Sequence, residues 1–381
     1  ALAERPWAAA DPARSSSAGV IDAGHGTLVL VGMYGGNDGV NTVIPVADPA
    51  YRAARPDLGY EPNQVLDLGD GLALNPKLPA MKAMWDGGQL AVVRGVSYPN
   101  PSLSHFQAMD IWQTANVGDG SGPGWLGRWL DATGSDPMRA VSIGSTLPVT
   151  LRGERAAAAA VTSTTVTLPG DPREQMAFSS LVRPGSDRQG VATAVSGAGE
   201  DLLEVQKAFA NLHAPQPASP GGGALASQLA VVASLIRAGA PTRVYHVSFG
   251  SFDTHAGERA AHERLLAELD GGVGRFFNSL KGSPQAAGVV VMTYSEFGRR
   301  VTENASGGTD HGTAAPMFVA GPEVKGGRFY GEQPSLTKLD ANGNLLLSVD
   351  FRQVYATVLE RVLRTDAKSV LGGSFATLAF L

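Results

Sequence analysis

Four short apolar runs constrain this chain more than any other feature, because polar residues bounded by glycine or proline follow them. Thr27 to Met33 (TLVLVGM) ends at Tyr34-Gly35-Gly36-Asn37-Asp38-Gly39, and Leu90 to Val96 (LAVVRGV) runs into Ser97-Tyr98-Pro99-Asn100-Pro101. Arg243 to Phe249 (RVYHVSF) precedes Asp253-Thr254-His255, and Gly288 to Thr293 (GVVVMT) precedes Ser295-Glu296-Phe297-Gly298-Arg299. Runs that are apolar throughout, instead of alternating with polar residues, suit strands covered on both faces, as in a parallel sheet. Between the last two runs, Leu265, Leu266, Leu269, Val273 and Phe276 recur at helical spacing within Glu258 to Leu280. Strand, helix and strand in that order predict βαβ units, hence an α/β fold with a mainly parallel central sheet and helices on both faces.

The rest of the chain fits one domain over residues 27–381. Leu78 to Trp85 reads as a helix feeding the second run, Ala224 to Ala238 as a helix feeding the third, and Ser348 to Leu363 as a closing amphipathic helix. The stretch from about Thr146 to Gly223 is rich in Ala, Ser, Thr, Gly and Pro and is expected to be an insertion or cap. Residues 1–26 read as a loose N-terminal segment. Ala1-Leu2-Ala3 has the small-x-small form found at signal cleavage sites, so export to the periplasm or medium is expected.

Composition removes several classes. With 43% hydrophobic and 17% charged residues, the chain can build a core and is not a disordered protein. A net charge of -5 offers no footprint for nucleic acid. No run approaches the ~20 apolar residues needed to span a bilayer. Cysteine is absent, so any metal must be held by carboxylate, imidazole or neutral oxygen.

Ligands of open parallel sheets bind outside the carboxyl ends of the strands, where these polar clusters fall. Asp253-x-His255 and Asp310-His311, the latter framed by Gly307, Gly308 and Gly312, each offer a carboxylate and an imidazole, and Asp38 stands at another strand end. The set suits a divalent metal: imidazole favours zinc, with calcium, magnesium or manganese as alternatives. Short Asp-x-His motifs also occur in ordinary turns, so it is the combination that carries weight. Ser102 and Ser104 precede a predicted helix containing Phe106 to Trp112, where a hydroxyl would meet the positive end of the helix dipole. Plain N-capping explains such serines equally well. His105 could serve as base, ligand or packed side chain. Glu296 and Arg299 follow the fourth run, and Arg299 could hold a phosphate or sulfate, or a structural carboxylate such as Glu303.

The order of the strings LVLVGMYGGNDGVNTVIP, LSHFQAMDIW, GPGWLGRWL, SFGSFDTHAG, VMTYSEFGRRVTENASGGTDHG and VDFRQVYATVL resembles the DUF1501 family of exported bacterial proteins, whose members commonly carry a twin-arginine signal. That family looks like a distant branch of the alkaline phosphatase and sulfatase superfamily. The resemblance implies an alkaline-phosphatase-like fold with Asp38 as the first metal ligand. It makes Ser104 or Ser102 the nucleophile, and Asp253 and His255 the later Asp and His. It places an Asp-His pair on Glu296 and Phe297, with His311 as the final His. Phe297 cannot ligate a metal, so one imidazole is missing unless Asp310 or His105 takes its place.

The implied function is an exported metal-dependent hydrolase acting on a small-molecule or polymer ester of phosphate or sulfate through a serine nucleophile or a metal-bound water. In it Asp38, Asp253, His255, Glu296, Asp310 and His311 are the candidate ligands, and Ser104, His105 and Arg299 the candidate catalytic residues. The alternatives are a degenerate metal- or anion-binding scaffold and metal-dependent redox chemistry.

Overall fold

The computed structural model describes residues 26–134, 136–168, 170–182, 191–217 and 223–381. All of the expected loose N-terminal segment but Gly26 lies outside these residues, as does the signal-cleavage reading.

The chain begins with β1 (Thr27–Met33) and a single turn α1 (Gly39–Thr42). A small antiparallel sheet follows, made of β2 (Val43–Ile44), β3 (Leu66–Gly69) and β4 (Leu72–Leu74), with α2 (Pro49–Ala54) after β2. Next come α3 (Pro79–Asp86), β5 (Leu90–Ser97), α4 (His105–Thr114), α5 (Trp125–Thr133), β6 (Ala140–Ile143) and β7 (Ala159–Val161). Three helices, α6 (Pro172–Leu181), α7 (Val191–Leu212) and α8 (Ala224–Arg237), lead to β8 (Val244–Phe249), α9 (Glu258–Leu280) and β9 (Val289–Tyr294). The chain closes with β10 (Ala315–Ala320), β11 (Arg328–Tyr330), β12 (Val349–Asp350), α10 (Phe351–Arg361) and α11 (Ala367–Leu371).

The main sheet runs in the order β11-β5-β10-β9-β1-β8-β6-β7, with β12 also paired to β5. It is parallel except for β10, which is antiparallel to both neighbours. β1 shows why the four runs carry no alternation. Val29, Val31 and Met33 enter one core with residues of α3, α8 and α9, while Leu28 and Leu30 enter the other with residues of α4, α5 and α10. On that second face Trp125 stacks on Tyr355 with ring centroids 4.2 Å apart. Among the described residues no helix is long and apolar enough to cross a membrane.

Two features differ from the sequence expectation. Residues 159–161, inside the expected insertion, form the edge strand β7 paired parallel to β6, so that part of the segment belongs to the sheet. The run at 315–320 is a strand without a preceding crossover helix. Adjacent antiparallel strands need no crossover, only a connection at one end. The β9–β10 loop therefore stays at the carboxyl end of β9 and lays Glu296, Arg299, Asp310 and His311 over it. The adjacent ends of β1 and β8 add their own polar loops at the same place.

Candidate metal centre

Three imidazoles and one carboxylate meet at this end of the sheet. His255 Nε2 lies 3.0 Å from His311 Nε2 and 3.0 Å from Asp253 Oδ1, and His311 Nε2 is 3.2 Å from that same oxygen. His105, the first residue of α4, reaches in from the end of β5, with Nε2 3.5 Å from Asp253 Oδ2. His105, Asp253 and His311 offer donor atoms all within 4.8 Å of one another.

Each imidazole is oriented from behind. His105 Nδ1 is 2.9 Å from Glu296 Oε1, His311 Nδ1 is 2.8 Å from the carbonyl of Leu103, and His255 Nδ1 is 3.2 Å from Asp310 Oδ1. Carboxylates and carbonyls only accept, so Nδ1 donates in all three rings; the Nε2 atoms of His255 and His311 donate to Asp253 when protonated and offer a lone pair to a metal when not. This is the arrangement that fixes tautomer and direction in metal-ligating histidines. His105 Nε2 is itself buried without a hydrogen-bond partner. Such an orphaned nitrogen, facing a carboxylate and two further imidazole nitrogens, fits a bound cation.

The supports are firmly held. Glu296 Oε1 accepts from the N–H of Gly35 at 2.8 Å, and the Asp310 carboxylate accepts from Asn304 Nδ2 at 3.2 Å. The Phe297 ring lies beneath the imidazoles, its centroid 4.8 Å from that of His105 and 4.6 Å from that of His311. The residue that cannot ligate thus forms the apolar floor. Gly36 permits this packing: at φ +74° it adopts a backbone that side chains disfavour, and a Cβ there would meet the Phe297 ring at 2.3 Å.

Arg299 closes the underside. Its guanidinium is buried, donating from Nη2 to Asp253 Oδ1 at 2.7 Å and to the carbonyls of Gly35 and Phe252, from Nε to Gly36, and from Nη1 to Thr309. Burial raises the Asp253 pKa, but the Arg299 and His311 hydrogen bonds and the charges of Arg299 and His255 outweigh it, and the carboxyl titrates at about 2. Arg299 therefore ties the β1, β8 and β9 loops together; the structure does not present it to a substrate anion.

Of the expected ligands, the structure brings together Asp253, His255 and His311, and adds His105. Glu296 and Asp310 stand behind imidazoles as hydrogen-bond acceptors. Asp38 is elsewhere: it is fully buried, with its two oxygens bound by Nη1 and Nη2 of Arg55 at 2.5 and 2.9 Å. Buried beside it are Glu258 and His262. Arg55, Glu258 and His262 are not among the residues expected from the sequence. The last two, four residues apart at the start of α9, share one face of the helix, and that spacing was the available signal.

Ser104 is the N-cap residue of α4; it is exposed, and its hydroxyl makes no capping hydrogen bond. The Ser102 hydroxyl is engaged, donating to Gln107 Oε1 at 2.9 Å and accepting from the Ser104 N–H at 3.1 Å.

Fold and site together define a mixed α/β protein with a metal-ligand constellation at the carboxyl edge of a mainly parallel sheet. The chain belongs to the family described as Protein of unknown function (DUF1501), which it matches over residues 88–373. No curated protein matches. Among solved structures it is similar to Ps i-CgsB, with 10% identity, 92% of this chain and 75% of that chain covered, and a TM-score of 0.42. It is also similar to the phosphonate monoester hydrolase SpPMH from Silicibacter pomeroyi, with 11% identity, 91% and 77% covered, and a TM-score of 0.39. A third is the C-terminal periplasmic domain of EcEptC from Escherichia coli in complex with Zn, with 12% identity, 78% and 73% covered, and a TM-score of 0.37.

Proposed function

We propose that this chain is a metal-dependent hydrolase of phosphate or sulfate esters that holds a divalent ion on Nε2 of His105, His255 and His311 and on the Asp253 carboxylate. The observation that carries this reading is the convergence of three Nε2 atoms on one carboxylate, each imidazole being fixed through its Nδ1. A donor set so rich in imidazole favours zinc over calcium or magnesium. When bound, such an ion polarises an ester oxygen and lowers the pKa of an attacking hydroxyl or water. The ester class follows the resemblance of the motif order to the alkaline phosphatase and sulfatase superfamily.

The chain's own residues have distinct tasks here. Glu296, Asp310 and the Leu103 carbonyl aim the imidazoles, and Arg299 anchors Asp253. Ser104 is the attacking residue: it is exposed, free of a capping bond, and stands between Leu103 and His105, both part of the site. The first-turn N–H groups of α4 favour its alkoxide. Ser102 is bound to Gln107 and is the weaker candidate.

A second reading, a metal-holding scaffold without turnover, draws support from Arg299, whose donors end on the protein itself. Metal analysis combined with aryl phosphate and aryl sulfate assays separates the two. The hydrolase reading expects zinc-dependent turnover that Ser104→Ala removes while metal content and folding persist. Bound metal without turnover of either ester class would favour the scaffold.

A further inference from the structure

A second cluster of ligand-type side chains is buried in the same region. Asp38, Glu258 and His262 place donor atoms within 4.8 Å of one another, and each side chain is at most 2% exposed. Glu258 Oε2 accepts from the Thr309 hydroxyl at 2.6 Å, and the Glu258 carboxyl shares a hydrogen bond with Asp38. His262 Nε2 lies 3.0 Å from Asn37 Oδ1 and 3.4 Å from the Thr42 hydroxyl.

Arg55 distinguishes this pocket from the outer one. Its guanidinium is fully buried, grips both oxygens of Asp38, and donates further to the carbonyls of Val301 and Arg300 at 2.8 Å each. Arginine stays protonated in proteins, so the pocket has a permanent, covalently attached positive charge. The outer site also has a buried guanidinium, but Arg299 donates to one oxygen of Asp253 only and leaves Oδ2 facing His105, whereas Arg55 takes both oxygens of Asp38.

We propose that Arg55 is the resident cation of the Asp38–Glu258–His262 pocket, that it holds the protein to one metal ion per chain, and that its removal converts this pocket into a second divalent-metal site. A divalent ion entering beside Arg55 would face a guanidinium at short range in a closed space that screens charge poorly. Without Arg55, Asp38 is a buried carboxylate lacking a counter-charge, next to a carboxyl group and an imidazole. That donor set suits zinc. The total of one ion rests on the reading of the outer site; the effect of removing Arg55 does not.

Zinc titration of metal-stripped protein, followed by calorimetry and by elemental analysis after gel filtration, tests the proposal. Wild type is expected to bind one equivalent, and Asp38→Asn the same number. Arg55→Ala is expected to bind one equivalent more than wild type, to gain more in Tm from zinc, and to lose both gains when Asp38→Asn is added. A folded Arg55→Ala protein that binds no more zinc than wild type overturns the proposal. So does an Asp38→Asn protein that loses an equivalent. If Arg55→Ala does not fold even in zinc, the Asp38→Asn count decides. A wild type that binds no zinc contradicts the outer site, and the gain on removing Arg55 still measures the inner one.

Discussion

The Nε2 atoms of His255 and His311 face each other at 3.0 Å, while the Nδ1 of each ring is already directed at an acceptor. Two unprotonated nitrogens at this distance would repel, and the Asp253 oxygen 3.0 Å from one and 3.2 Å from the other adds negative charge. A cation bound between them, or a proton on one ring, relieves the conflict.

His255→Ala removes one of the two opposed nitrogens. Bound zinc should fall to near zero after dialysis, and the rise in Tm that zinc gives the wild type should disappear, since binding to the folded state alone stabilises it. The Tm of the stripped variant should stay close to that of the stripped wild type, because this side chain is 44% exposed. Unchanged zinc content would remove His255 from the site.

Glu296 aims His105 and is in turn held by the Gly35 N–H. Replacing such an orienting group typically weakens metal binding about 10–100-fold. Glu296→Ala should therefore lower zinc affinity within that range while leaving stoichiometry unchanged, and Glu296→Gln, which keeps an acceptor for Nδ1, should lose less. Equal losses in the two variants would mean that Glu296 acts through charge and not through orientation.

Glu258 gives the protein a distinctive pH response. Burial, and then the neighbouring Asp38 charge, push its carboxyl up from 4.5 to about 9. The folded state thus keeps a proton that the unfolded state releases above its ordinary pKa. This contribution is fully present below the unfolded pKa and is lost as pH rises towards the folded one. Stability measured by urea unfolding should decline across that window, and Glu258→Gln should decline less steeply, becoming the more stable protein towards the alkaline end. Parallel pH profiles for the two proteins would show that Glu258 is charged in the folded state.

Much of this was legible in the sequence. The four apolar runs and the α9 periodicity place the strands and the main crossover helix, because burial on both faces and helical spacing leave direct marks. Asp253 and His255 were readable as strand-end polar residues, and His311 as half of a glycine-framed Asp-His pair. The role of Asp38 was not, since its partner Arg55 lies in α2's C-cap position and nothing local links them. Glu296 and Asp310 look like ligands in a string of letters; only the fold shows them one step behind the imidazoles. β10 escaped notice because its run, APMFVA, follows a long loop and lacks the helix that marked the other strands.

Zinc K-edge absorption spectroscopy of zinc-loaded protein, read beside anomalous diffraction from its crystals, tests the central claim most directly. The account predicts one zinc bound to three imidazole nitrogens at about 2.0–2.1 Å and one carboxylate oxygen. The anomalous peak should lie among His105, His255, His311 and Asp253. A peak at Asp38, a ligand set without histidine nitrogen, or no bound zinc at saturating concentration would contradict it.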